Sequence, residues 1–278
     1  MPKCQYRCSQ AWASAEPTHP LTDCGYPPYP DSATPRQGVA EPGRCSATPP
    51  VPLVSAGVVQ TGVVSTSLRA VLWDFGGVIL TSPFDAFARY EASAGLPAGL
   101  IRTLNATNPD TNAWARFERN ELSLTEFCVS FEAEAHAVGH TVSGRDVMAL
   151  LHGEVRPQMV EAVRRCKQAG FLIACLTNNV RLDQRNGTAQ PERPEVAEVM
   201  AMFDHVTESS LAGIRKPEPR FYELACEALA IQPHEAVFLD DLGINLKPAA
   251  AMGMRTIKVT DPDAALDQLS AHIGIALR

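Results

Sequence analysis

Long apolar runs and clusters of basic residues are both missing from this sequence. No stretch of 18 or more residues is apolar, and no basic segment followed by an apolar one opens the chain. We therefore expect neither a membrane-spanning helix nor a signal peptide, and we assign the protein to the cytoplasm. The net charge is -7 and no block of Lys or Arg stands out, which argues against a surface for nucleic-acid backbones. A small anionic partner would need a local positive site.

Cysteine pairs of the CxxC type are also lacking among the eight cysteines. Four of them have apolar neighbours and are predicted to be reduced, buried thiols: Cys128, Cys166, Cys175 and Cys226. The other four lie in the first segment of the chain, at Cys4, Cys8, Cys24 and Cys45. Their spacings match no zinc site well, so we expect no metal there.

Regular patterning is lacking in that first segment, residues 1–67. The segment holds 11 of the 22 prolines and shows no sustained helical or alternating apolar pattern. We therefore expect a disordered tail. The alternative, that the segment results from an upstream choice of start site, stays open.

From Leu68 onward the sequence alternates between predicted strands and helices. Short apolar runs end at polar residues three times, at Asp74, at Thr177 to Asn179 and at Asp240 with Asp241. Two more strands are predicted at 204–208 and 255–259, and helices at 157–169, 218–229, 245–252 and 262–273. This order is typical of an α/β fold with a doubly wound parallel sheet, in which ligands bind at the carboxyl ends of the strands. The length of 278 residues favours one catalytic unit.

A long insertion, residues 83–155, separates the first two strands and has helical periodicity. One apolar stripe is formed by Phe84, Phe87, Ala88 and Tyr90, and another by Leu124, Phe127, Cys128 and Phe131. Ser123 with Glu126 predicts a capping box. We interpret the insertion as a helical cap that acts as a lid over a core formed by residues 68–82 and 156–278. A helical subdomain without substrate contact is the alternative.

The residue types at the strand ends predict a site for a divalent cation and a phosphoryl group. Asp74 and Asp241 offer the hard oxygen ligands that Mg²⁺ prefers. Lys216 and Thr177 are suited to hold phosphoryl oxygens. Asp74 is then the candidate nucleophile, whose attack on phosphorus would give an aspartyl-phosphate.

Four segments, in this order, resemble the haloacid dehalogenase superfamily. They are Asp74-Phe-Gly-Gly-Val78, Leu176-Thr177-Asn178, Lys216-Pro217 and Phe238-Leu-Asp240-Asp241. The longer segments Gly213-Ile-Arg-Lys216-Pro-Glu-Pro and Phe238 to Ala249 are similar to the phosphatase domain of soluble epoxide hydrolases and to the related domain of acyl-CoA dehydrogenase fusions. The resemblance implies a Rossmann-like core with a C1-type helical cap. It also implies a Mg²⁺-dependent hydrolase acting on a small phosphorylated metabolite, for which we expect a monomer or homodimer.

The resemblance assigns roles to individual residues. Asp74 is implied to be nucleophile and metal ligand, and Asp241 the second carboxylate ligand. Asp240 is implied to orient Lys216 without binding the metal directly. Two residues are implied to bind phosphate with Lys216, namely Thr177 and Asn178. For Asn245, a helix N-cap and a site contact are equally open, and Arg116 and Glu118 are expected to be solvated or salt-bridged cap residues.

One position departs from the family pattern. Family phosphatases carry a second Asp two residues after the nucleophile, and here Gly76 occupies that position. The main-chain carbonyl of Gly76 keeps the implied metal contact, but no side chain is present there for acid–base catalysis. The alternatives to a phosphatase are therefore a phosphate-ligand binding or regulatory module with impaired catalysis and, third, a metal-free dehalogenase. The acidic pair together with Lys216 argues against the last.

Overall fold

The computed structural model describes residues 67–180 and 193–278, and within them five strands form one parallel sheet. The strands are β1 (Ala70–Trp73), β2 (Leu172–Thr177), β3 (His205–Glu208), β4 (Ala236–Asp240) and β5 (Arg255–Lys258). Their order is β3-β2-β1-β4-β5, so the chain moves outward from β1 first on one side and then on the other. All five predicted strands are confirmed. The predicted disorder of residues 1–67 concerns a segment that, apart from Ser67, lies outside the described residues.

Five helices follow β1 and build a hydrophobic core of their own. They are α1 (Phe84–Ser93), α2 (Leu100–Ala106), α3 (Ala113–Glu118), α4 (Leu124–Ala137) and α5 (Gly144–Ala149). The rings of Phe117, Phe127 and Phe131 stack at its centre, with centroids 4.6 and 5.5 Å apart. The capping box of Ser123 and Glu126 is confirmed at the start of α4. The stripe predicted on α1 is wrong at Ala88, which is exposed.

Two chain segments connect these helices to the sheet and lie side by side. Leu80 pairs antiparallel with Val155. The Thr81 N–H donates to the carbonyl of Glu154 at 2.8 Å, and the Arg156 N–H donates to the carbonyl of Ile79 at 2.9 Å. The two ends of the helical insertion are thereby held together next to the turn that follows β1.

The remaining helices cover both faces of the sheet. They are α6 (Pro157–Gln168), α7 (Pro194–Met200), α8 (Ser209–Ala212), α9 (Pro219–Leu229), α10 (Gly243–Ala251) and α11 (Pro262–Ile273). Alternate residues of β1 point to opposite faces: Trp73 belongs to the cluster that includes α6 and α11, and Leu72 to the cluster that includes α9 and α10. The doubly wound α/β sheet with an inserted helical cap is therefore confirmed, although α7 and α8 were not predicted.

No helix within residues 67–180 and 193–278 has the length and apolarity needed to cross a bilayer.

Candidate active site

The first site residue, Asp74, directly follows β1, has extended backbone dihedrals and is buried. Its Oδ1 accepts a hydrogen bond from the N–H of Phe75 at 2.7 Å. The same oxygen lies 2.7 Å from the Nζ of Lys216. Oδ1 is therefore fixed by two donors, whereas Oδ2 has no hydrogen-bond donor among the described residues.

Lys216 is buried beneath this site, with only 1% of its surface exposed. Its Nζ lies between two carboxylates, 2.7 Å from Asp74 Oδ1 and 2.8 Å from Asp240 Oδ2. Burial alone would lower the pKa of this ammonium group, but the carboxylates of Asp240 and Asp74 raise it above its ordinary value. Lys216 therefore stays positively charged, and its ammonium group lies against the carboxylate of Asp74, the predicted nucleophile.

Asp240 uses both of its oxygens inside the protein. Oδ1 accepts from the N–H of Leu242 at 2.8 Å, and the Nδ2 of Asn245 donates to both oxygens at 3.1 Å. With the Lys216 contact added, Asp240 is surrounded by donors. Asn245 is the third residue of α10, and Leu242 occupies the N-cap position. The N-cap alternative for Asn245 is therefore wrong, and the side chain contacts the site.

The last residue of β2 and the first residue of the loop after it are two predicted phosphate ligands, and they contribute in different ways. The side chain of Asn178 is engaged with the main chain of Lys216: Oδ1 accepts its N–H at 2.9 Å, and Nδ2 donates to its carbonyl at 3.0 Å. Thr177 is buried, and its hydroxyl has no partner in the part of the chain that the structure describes. Asn178 thus positions the lysine loop with its side chain, while the Thr177 hydroxyl is left available.

Three carboxylates converge at the carboxyl ends of β1 and β4. Oxygens of Asp74, Asp240 and Asp241 lie within 4.8 Å of one another. Burial raises the pKa of Asp74 well above its ordinary value. The positive charge of Lys216 opposes this rise, and the negative charge of Asp240 adds to it. Burial, and next Asp240, raise the pKa of Asp241 to about 6. One ammonium group among three carboxylates leaves an excess of negative charge, so the donor set fits a divalent cation such as Mg²⁺.

Gly76 lies beside this group and has no neighbour where a side chain would begin. Its backbone has φ -72° and ψ 128°, which any residue adopts, and an added Cβ would have no heavy atom within 4 Å. The glycine is exposed. The backbone therefore does not require glycine here, and the site simply lacks a functional side chain at this position.

Two further residues near the site make contacts that were not predicted. Arg215, next to Lys216, forms an ion pair with Glu118 of α3. Asn179 lies in the loop that follows β2. Its Nδ2 donates to Oε1 of Glu208 at 2.6 Å, and its Oδ1 accepts from the hydroxyl of Ser210 at 2.8 Å. The salt-bridged interpretation of Glu118 is confirmed, but its partner lies 97 residues away. No local pattern in the sequence identifies such a pair. The position of Arg215 next to Lys216 does indicate that its side chain lies near the site.

The model of the haloacid dehalogenase-like hydrolase family matches residues 68–253. The chain belongs to this family of hydrolases, as the four motifs indicated.

The relatives agree with the resemblance found in the sequence. Acyl-CoA dehydrogenase family member 10 of Mus musculus is 36% identical over 216 residues, which cover 76% of this chain and 20% of that protein. Bifunctional epoxide hydrolase 2 of Sus scrofa is 31% identical over 224 residues, 76% of this chain and 40% of that protein. The chain thus spans less than half the length of either relative. Sesquiterpene phosphatase astK of Aspergillus oryzae is 24% identical over 75% of this chain and 98% of its own length.

Proposed function

We propose that this hydrolase is a Mg²⁺-dependent phosphatase that acts on a small phosphorylated metabolite through an aspartyl-phosphate on Asp74. The observation that carries the proposal is the position of Lys216 Nζ, 2.7 Å from Asp74 Oδ1 within a cluster of three carboxylates. A carboxylate nucleophile needs its charge and that of the phosphoryl group balanced before the two can approach. The lysine supplies one positive charge, and the carboxylate cluster would hold a second, divalent one.

Each residue has a distinct part in this proposal. Asp74 and Asp241 would hold the cation, with the main-chain carbonyl of Gly76. A bound Mg²⁺ would supply charge neutralisation between the carboxylates and the phosphoryl oxygens. Lys216 and the Thr177 hydroxyl would donate to those oxygens. Because Asn178 binds the main chain of Lys216, its side chain orients the lysine, and its contact with phosphate would come from the main chain.

The reaction then proceeds in two displacements. Oδ2 of Asp74, which has no donor among the described residues, forms a bond to phosphorus while the ester P–O bond breaks. The leaving oxygen departs with the electron pair of that bond and takes its proton from water. Water next attacks the aspartyl-phosphate, releases inorganic phosphate and regenerates the carboxylate. The name of the fungal relative, a sesquiterpene phosphatase, supports the same class of reaction.

Two alternatives are weighed against this proposal. A phosphate-ligand binding or regulatory module is favoured by Gly76, because no carboxyl group is present there to protonate a leaving alcohol. A metal-free dehalogenase is disfavoured by Asp240 and Asp241, because two carboxylates beside the nucleophile repel an anionic acid substrate unless a cation is bound.

The deciding experiment is phosphate release from a panel of phosphomonoesters and acyl phosphates, with and without Mg²⁺. We expect Mg²⁺-dependent turnover that falls at least about 10³-fold in Asp74→Asn. Asp267→Asn makes the same substitution at an exposed position of α11 and should keep wild-type activity. Release from no compound, with Mg²⁺ still bound by calorimetry, would favour the binding module.

A further inference from the structure

One ion pair connects the cap to the residue that precedes the buried lysine. The Nε of Arg215 lies 2.5 Å from Oε2 of Glu118, and its Nη1 donates to the carbonyl of Pro109 at 3.0 Å. The other carboxylate oxygen of Glu118 accepts from the indole N–H of Trp114 at 2.8 Å. Glu118 is only 7% exposed. The pair is therefore mostly shielded from water, unlike the surface pairs of this chain.

The loop that contains Arg215 and Lys216 is also hydrogen-bonded to residues of the core. The main-chain N–H of Arg215 donates to Glu218 at 3.1 Å. The next residue, Lys216, is held by Asn178 through both its N–H and its carbonyl. A displacement of Arg215 therefore acts on the main chain that positions Lys216 Nζ between Asp74 and Asp240.

We propose that Arg215 is a positioning residue: its ion pair with Glu118 couples the placement of the cap to the placement of Lys216. The catalytic consequence of this coupling rests on the proposed phosphatase function, whereas the structural coupling does not. When the cap lies against the core, Glu118 and Pro109 fix the Arg215 side chain, and the lysine loop is held. When the pair is broken, the loop loses its anchor on the cap and Lys216 is less well aligned with the phosphoryl group.

The kinetic test uses Glu118→Gln, Arg215→Gln and the double variant. Gln at 118 keeps the shape and an acceptor for Trp114 but removes the charge. With an aryl phosphate and Mg²⁺, we expect each single variant to lower kcat about tenfold and to change KM by less than about threefold. We expect kcat to change more than KM because the alignment of Lys216 matters most in the transition state, where charge develops on the phosphoryl group. The double variant should be no slower than the slower single variant, because both substitutions remove the same ion pair.

The matched control is Arg220→Gln, which removes another Arg–Glu pair. Arg220 pairs with Glu227 on α9, and both side chains are more than half exposed. Its kcat and KM should equal those of wild type. Arg215→Lys provides a milder variant if Arg215→Gln does not fold: it keeps the charge but has a single donor group in place of the planar fork that reaches Glu118 and Pro109. We expect it to lie between wild type and Glu118→Gln.

A second readout does not need turnover. In hydrogen–deuterium exchange, Glu118→Gln should accelerate exchange in the core peptide 213–216, whose Lys216 amide donates to Asn178, as well as in residues 113–118. Acceleration confined to the cap, additive losses of kcat, or unchanged kcat in both single variants would overturn the proposal. If the wild type hydrolyses no ester, the proposed function fails, and the exchange experiment alone then decides the coupling.

Discussion

Gly77 lies so close to Asp241 that a Cβ added to the glycine would overlap the Asp241 carboxylate. The backbone of Gly77 has φ +80°, a conformation that side chains rarely adopt. The turn after β1 thus brings the main chain of the nucleophile loop into direct contact with the carboxylate that follows β4. Of the two adjacent glycines, it is the second that the fold requires.

Gly77→Ala is expected to impair the metal site. The left-handed conformation costs about 1–2 kcal/mol with a side chain present, and the methyl group must displace Asp241. We expect the Mg²⁺ concentration for half-maximal activity to rise about 10- to 100-fold. The matched control is Gly76→Ala, which has an ordinary φ and open space. Equal Mg²⁺ dependence in the two variants would show that Asp241 does not hold the cation.

Gly76→Asp is expected to increase activity. The added side chain meets no heavy atom at its Cβ position and extends from an exposed residue two positions after Asp74. A carboxyl group there can protonate the leaving oxygen and later activate water, an effect worth roughly 10²-fold or more. The gain should appear with alkyl phosphates and be much smaller with aryl phosphates. Gly76→Asn has a similar shape but no titratable proton, and a similar gain in that variant would exclude acid–base catalysis as the cause.

The wild-type enzyme should be selective for good leaving groups. Without a side chain at Gly76, the departing oxygen must leave unprotonated or take its proton from water. Acyl phosphates, sugar 1-phosphates and aryl phosphates should therefore react faster than simple alkyl phosphates. Initial rates at saturating Mg²⁺ measure this order, and the prediction is refuted by equal rates across the series.

The strand-end residues of this site were predictable because the sequence marks them locally. Asp74, Thr177 and Asp240 each end an apolar run, and a parallel sheet brings such ends to one edge. Lys216 is different: it lies on no strand, and only its motif predicted a place in the site. Its main chain is held by the side chain of Asn178, 38 residues away.

Contacts between the cap and the core were beyond prediction from periodicity. The helical pattern around Phe127 and Phe131 predicts which side of α4 is buried, because that is a local property. The pairing of Glu118 with Arg215 depends on how the helical insertion and the core meet in space. Likewise, the sequence shows two adjacent glycines after Phe75, but only the position of Asp241 in space decides which of them is required.

Thiol labelling tests the packing around the buried cysteines of the core. Burial raises the pKa of Cys166 to about 12 and that of Cys226 to about 11, and it raises the pKa of Cys175 further. Since the thiolate is the reactive form, at pH 8 about a thousandth or less of these groups would be reactive even if reagent reached them.

We therefore expect iodoacetamide at pH 8 to leave Cys166, Cys175 and Cys226 unmodified in the native protein, as read by mass spectrometry of peptides. In urea all three should react fully, which is the control. Rapid native labelling of Cys175 would mean that β2, which pairs with β1 beside Asp74, opens far more readily than the complete burial of Cys175 indicates.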